Sequence, residues 1–270
     1  MLGLERRPTQ LDSAAHGLRT VANRLYELGD PRAAFPDIYG MITDRVALEA
    51  NKPDGMFWEP QWISRLSGRF CERYLDTLEW SLADHDQDCG AWRIAYRCAA
   101  LAATVPFQDV ILGLSAHINY DLAQGISQTI VEFGHAASPE MRARYKHDHD
   151  AVNVLLKESI PAAFERLIRA YRCRTSAALF GPARRVTEPM TLRVLAYFRG
   201  NVWNDVVALL DVASDAEGQK VLDAMNRRSG RYARALTVGN FAYLGGRTLV
   251  ARLPRLGSRR ARPPVGHAHP

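Results

Sequence analysis

From Leu11 onward the apolar residues of this chain return every three or four positions, and no stretch alternates apolar and polar residues at period two. The Asn-Gly or Asp-Gly step between β-branched runs that marks a hairpin is missing as well. Such a chain can bury its apolar surface only by packing helix on helix, so the pattern predicts an all-α fold. Helices are expected at roughly 11–28, 37–50, 59–83, 90–103, 107–134, 139–171, 189–213 and 216–240. About eight helices within 270 residues leave only short connections, as in a single-domain multi-helix bundle.

The breakers agree with that reading. Gly29-Asp30-Pro31 ends the first helix, Asn51-Lys52-Pro53-Asp54-Gly55 forms a turn, Ser138 caps a helix that opens with Pro139, and Phe180-Gly181-Pro182 interrupts the chain again. No repeat of fixed period and no long polar linker divides it, so one domain is expected over residues 10–245.

Residues 246–270 read as a basic, Pro- and Arg-rich disordered tail. They hold six of the 35 Lys and Arg residues and no acid, which leaves 29 basic against 29 acidic residues in the rest. The net charge of +6 is thus a property of the tail. A nucleic-acid site needs its basic residues on a folded face, so no nucleic-acid partner is expected.

Cys71, Cys89, Cys98 and Cys173 form no CxxC pair and lie in helical segments, as small buried residues of a reducing compartment do. The opening MLGLERRPTQ carries charges where a leader needs an apolar stretch, and the most apolar run, Cys98 to Leu114, is broken by Pro106, Gln108 and Asp109. A soluble, cytoplasmic protein without a transmembrane segment is the expectation.

Three polar constellations stand out. On a helix, His117 and Asp121 lie one turn apart and differ by about 40°, a spacing that suits two ligands of one metal ion or a carboxylate that orients an imidazole. Gln124, Gln128 and His135 extend the same stripe, and the wet face of an amphipathic helix gives the same pattern. Asn119 falls about 200° from His117, among apolar residues, where an amide must find a hydrogen-bond partner. The second constellation is Lys146-His147-Asp148-His149-Asp150, followed by Asn153. His149 and Asn153 project into the apolar face of their helix and Asp148 lies on its flank, which suits either a site shared with His117 and Asp121 or a structural network. The third pairs Arg199 with Trp203 at i and i+4, where a guanidinium stacks on an indole or reaches an anion, or where the aromatic is only a half-exposed anchor. Gly113-Leu114-Ser115-Ala116-His117 misses the GxSxG pattern, and P-loop, dinucleotide and HExxH motifs are absent.

The stretch Leu112-Gly113-Leu114-Ser115-Ala116-His117-Ile118-Asn119-Tyr120-Asp121-Leu122 resembles the LGxxAHINxDL signature of an uncharacterised, mainly actinobacterial family of all-helical proteins. Trp62 to Leu78 resembles that family's WxxxLxxxFxxRYLxAL helix, Asp148 with Val152-Asn153 its D[FY]xxVN element, and Trp203 its late AW position. The resemblance covers roughly residues 35 to 215. It departs at His149, where the family carries an aromatic residue, and at Val202, where it carries alanine. It implies a fold and a set of polar positions, and no activity.

Together these features predict a helical-bundle enzyme acting on a hydrophobic small molecule, terpenoid or polyketide in character, in a pocket supplied by some of the chain's 9 Phe, 5 Trp and 10 Tyr. His117, Asp121 and Asp148 are the expected catalytic residues and the expected ligands of a divalent metal or iron. Asn119, His149, Asn153, Arg199 and Trp203 support them or touch substrate. Without a metal, His117 becomes a general acid or base oriented by Asp121. The competing reading is a non-catalytic helical protein whose polar groups form a structural network and which binds a hydrophobe or a partner.

Overall fold

A computed structural model describes residues 9–83, 85, 89–136, 138–181 and 184–237, and those residues are helical with no strand. The expected tail at 246–270 and the end of the expected domain lie outside them. The helices are α1 (Leu11–Glu27), α2 (Ala34–Ala50, preceded by a 3-10 turn at Pro31–Ala33), α3 (Pro60–Leu82), α4 (Gly90–Ala100), α5 (Pro106–Ala116), α6 (Leu122–Glu132), α7 (Pro139–Arg169), α8 (Arg174–Phe180), α9 (Arg184–Leu210) and α10 (Asp215–Thr237).

Local chemistry accounts for most of the boundaries. Ser138 accepts a hydrogen bond from the Met141 amide at 3.2 Å and Pro139 opens α7. Gly29 and Gly134 take φ of +69° and +72° just past α1 and α6, a left-handed position that glycine occupies without strain. Two expectations are corrected. The short α8 was not foreseen, and α9 starts before Pro189, which lies inside the helix instead of opening it.

The larger correction concerns the middle of the chain. Expected as one amphipathic helix, residues 106–132 form α5 and α6 joined by a π turn at His117–Asp121, where the Leu122 amide reaches back to the His117 carbonyl. This composite helix is buried nearly all round. Leu112 and Ala116 enter one core cluster with Leu18, Leu75 and Trp92, while Ile118, Leu122 and Ile126 enter another with Trp62, Leu155, Phe198 and Val206. Each large apolar side chain so buried contributes about 1.5–3 kcal/mol. His117, Asn119 and Asp121 are therefore interior groups, and the wet-face reading of His117 and Asp121 fails.

Close approaches seat the helices around it. A Cβ at Gly113 would fall 2.4 Å from Cδ2 of Phe35, so that ring lies directly on the α5 backbone. Along α3, a Cβ at Gly68 would stand 2.2 Å from the carbonyl carbon of Thr9, where the chain enters α1. Cys71, Cys89 and Cys173 are buried thiols and Cys98 is half-buried, all four unbridged. No described helix is long and apolar enough to cross a membrane.

Candidate functional site

The π turn holds His117 and Asp121 together in the interior. His117 is 1% exposed, and its Nδ1 lies 2.9 Å from Oδ2 of Asp121. The same oxygen accepts a 2.8 Å hydrogen bond from Nε1 of Trp92 on α4. Since the carboxylate can only accept, the His117 proton sits on Nδ1 and the lone pair on Nε2. That Nε2 is buried and has no hydrogen-bond partner among the described residues. Phe70 stacks on the imidazole with ring centroids 3.4 Å apart, and the Tyr39 ring meets it edge-on at 4.8 Å. Burial lowers the pKa of His117 below its ordinary 6.5, against the opposing pull of Asp121.

Asn119 spends its amide locally. Its Nδ2 donates to the Ser115 carbonyl at 2.9 Å, one turn back on its own helix, and not to a neighbouring element. Gln124 and Gln128, placed by helical phase on the stripe of His117, face α3 instead, where they accept from Arg73 at 3.2 and 3.0 Å. His135 pairs with the Tyr145 hydroxyl at 2.5 Å.

A cavity of about 90 Å³ opens beside His117. Its walls are almost entirely apolar, with Tyr39, Val46, Leu66, Phe70, Leu122 and Leu156 among them. His117, His149 and Arg199 are the nitrogen-bearing side chains in that wall. The space exceeds severalfold the 10–15 Å³ or so that one water requires.

His149, Asn153 and Arg199 form one network across α7 and α9. Nε of Arg199 donates to Oδ1 of Asn153 at 2.6 Å, and Nη2 donates to the His149 carbonyl and stands 3.2 Å from His149 Nδ1. Nε2 of His149 reaches the Arg199 carbonyl at 3.3 Å. This pattern makes His149 an Nε2–H tautomer, neutral because burial first and the Arg199 charge second push its pKa well down. Trp203 lies beside His149, ring centroids 6.1 Å apart, while Arg199 turns to α7 and not onto that indole.

Asp148 requires a correction. It does not join His117 and Asp121: its carboxylate accepts from the backbone N–H of Trp58 at 2.8 Å and of Glu59 at 2.7 Å, at the entry to α3. The connection between α6 and α7 is short, yet it does not lay the two helices side by side. Instead α6 packs on α9 and α3, and α7 packs on α2. The expected metal set of His117, Asp121 and Asp148 is therefore split. Among the described residues no three His, Cys, Asp or Glu side chains gather to hold an ion.

Sequence reasoning missed Trp92, Phe70 and Tyr39, which fix the imidazole. All three come from other helices, and an aromatic at a core position carries no mark of which residue it will touch.

The model of a family described as "Family of unknown function (DUF5995)" matches residues 11–239. The chain belongs to DUF5995. Neither a curated protein nor a solved structure matches it. The matched span of this DUF5995 chain contains every helix from α1 to α10, and so the whole cavity and both histidines.

Two buried neutral imidazoles give this DUF5995 chain a pH dependence of definite sign. Both His117 and His149 are lowered from 6.5, so above that pH their contribution to stability is complete. As pH falls through 6.5 the unfolded chain takes up protons that the folded chain refuses. Stability then falls by up to about 1.4 kcal/mol per pH unit for each histidine, until its folded pKa is reached. The urea midpoint is expected to be lower at pH 5.5 than at pH 7.5, and His149→Gln to narrow the gap. An equal gap in the variant would mean that His149 titrates normally.

Proposed function

We propose that this chain is an enzyme of the helical-bundle type that moves a proton on a small, largely apolar molecule held in the cavity, with His117 as the acid–base group. One observation carries the reading: His117 lines an apolar space with Nε2 unpartnered while Asp121 holds Nδ1 from behind. A buried nitrogen left without a hydrogen bond costs about 1–3 kcal/mol, and a substrate in the cavity would give this one something to act on. A general base needs that same unpaired atom within reach of a substrate proton, and a carboxylate behind it to stabilise the imidazolium that forms. Terpenoid- and polyketide-like molecules match the wall chemistry, and polyketides carry many protons adjacent to carbonyls. On such a substrate Nε2 takes the α-proton, the C–H electron pair passes into the enolate, and the imidazolium returns a proton.

Cyclohexanone in ²H₂O tests the reading. The wild-type chain is expected to speed α-deuteration by about 10²-fold or more over buffer, and His117→Gln to return it to the buffer rate with an unchanged fold. No acceleration by the wild type, or equal acceleration by His117→Gln, would refute the acid–base role and favour the non-catalytic hydrophobe-binding alternative.

A further inference from the structure

Arg199 is a buried cation that makes no ion pair among the described residues. It is only 6% exposed, and its three hydrogen-bonding contacts are neutral: the Asn153 amide oxygen, the His149 carbonyl and the neutral His149 imidazole. No carboxylate among the described residues forms an ion pair with it. Asp150 acts on it only through its field, without a contact, and is itself bound to Lys146 at 2.5 Å. Burial draws the guanidinium pKa down to about 10, so it stays charged at neutral pH.

A buried charge is ordinarily paired, because desolvation costs several kcal/mol and only an opposite charge offsets it in full. Arg32, largely buried itself, pairs with Asp30 at 2.6 Å, and the part-buried Arg228 pairs with Asp205. Among the described arginines, Arg199 combines a place in this cavity wall with neutral hydrogen-bond partners. His149 adds to the argument: it accepts from Nη2 through Nδ1, so it holds the guanidinium without neutralising it. An anion small enough for the cavity and apolar elsewhere would complement this charge.

We infer that the cavity takes a compact apolar monocarboxylate, its carboxylate paired with the Arg199 guanidinium and its hydrocarbon body against Val46, Leu66 and Leu122. This substrate class rests on the proposed function, since it places the ligand beside His117. With Nε held by Asn153 and Nη2 by His149, Nη1 keeps two N–H groups to donate to a carboxylate in a charge-assisted bond. Asn153 and His149 act as positioning residues that keep the guanidinium from turning out of the wall.

Titration calorimetry with cyclohexanecarboxylate and its neutral isostere cyclohexanecarboxamide tests the inference. The wild-type chain is expected to bind the acid at least 10-fold more tightly than the amide. Arg199→Met should erase that preference, Arg199→Lys should keep part of it, and Ser67→Leu, which fills the cavity, should weaken both ligands. Should Arg199→Met fail to fold, the wild-type preference and the Arg199→Lys result decide. Equal binding of acid and amide by the wild type, or an unchanged preference in Arg199→Met, overturns the anion anchor while leaving the proton-transfer reading intact. Binding of neither ligand also overturns it. Failure of the proton-transfer reading shows separately, as acid binding without deuteration of cyclohexanone.

Discussion

Replacing Asp148 by alanine is expected to destabilise the chain by about 3–5 kcal/mol, the range for removing one partner of a buried charged contact. The carboxylate is fully buried and takes the backbone N–H groups of Trp58 and Glu59, one on each oxygen. Those donors stand at the start of α3, where a helix has no internal acceptor for them. Around them Trp58 stacks on His147 with centroids 3.7 Å apart, and Arg144 binds Glu59 at 2.6 Å. Losing Asp148 leaves only Arg144 and the His147 stack to tie α7 to the entry of α3 and orphans two amides at once. Asp148→Asn keeps one acceptor and should cost about half as much. Urea unfolding measures both. Because Asp148 does not line the cavity, affinity for cyclohexanecarboxylate should be unchanged in folded protein. A stability loss under about 1 kcal/mol, or a loss of affinity instead, would return Asp148 to the site.

Asp121→Asn is expected to act the other way round, on function and not on folding. An amide oxygen in place of Oδ2 can still accept from Trp92 and His117, so shape and hydrogen bonds survive. What disappears is the negative charge that stabilises a protonated His117. Cyclohexanone deuteration should fall by about 10²–10⁴-fold, with melting shifted by a few degrees at most. If Asp121 only ties the core together, the result reverses: roughly 2–4 kcal/mol of stability is lost and no separate functional defect appears. One variant, measured for melting and for exchange, separates these cases.

The elements of the fold were legible because helical periodicity and breakers are local signals. Ser138-Pro139 marks the start of α7 and Gly29 the end of α1 without reference to any partner. The pairing of His117 with Asp121 was legible for the same reason, both residues lying on one turn. The network of His149, Asn153 and Arg199 was half legible: each residue stood out as polar on an apolar face, while their meeting depends on α9 returning to α7. Asp148 was misread because a short connection brings two helix ends together without making the helices neighbours along their length. Gln124 and Gln128 were misread because a regular 100° step was carried through a segment that does not keep it.

That irregular step has a consequence for how the central helix can vary. On one side, α3 presents Arg65, Arg69 and Arg73 like rungs, and α6 answers in reverse order with Glu132, Gln128 and Gln124. On the other, α5 must lay Gly113 under Phe35 and aim His117 at its carboxylate. A helix of constant pitch has one phase and would have to satisfy both neighbours with it. The wider turn at His117–Asp121 resets that phase between them. Gaining or losing one residue there would rotate α6 by about 100° relative to α5 and strip the rungs from their partners. Sequence length between Ser115 and Gln124 is thus held as tightly as residue identity, in a chain where a surface loop could absorb the same change unnoticed.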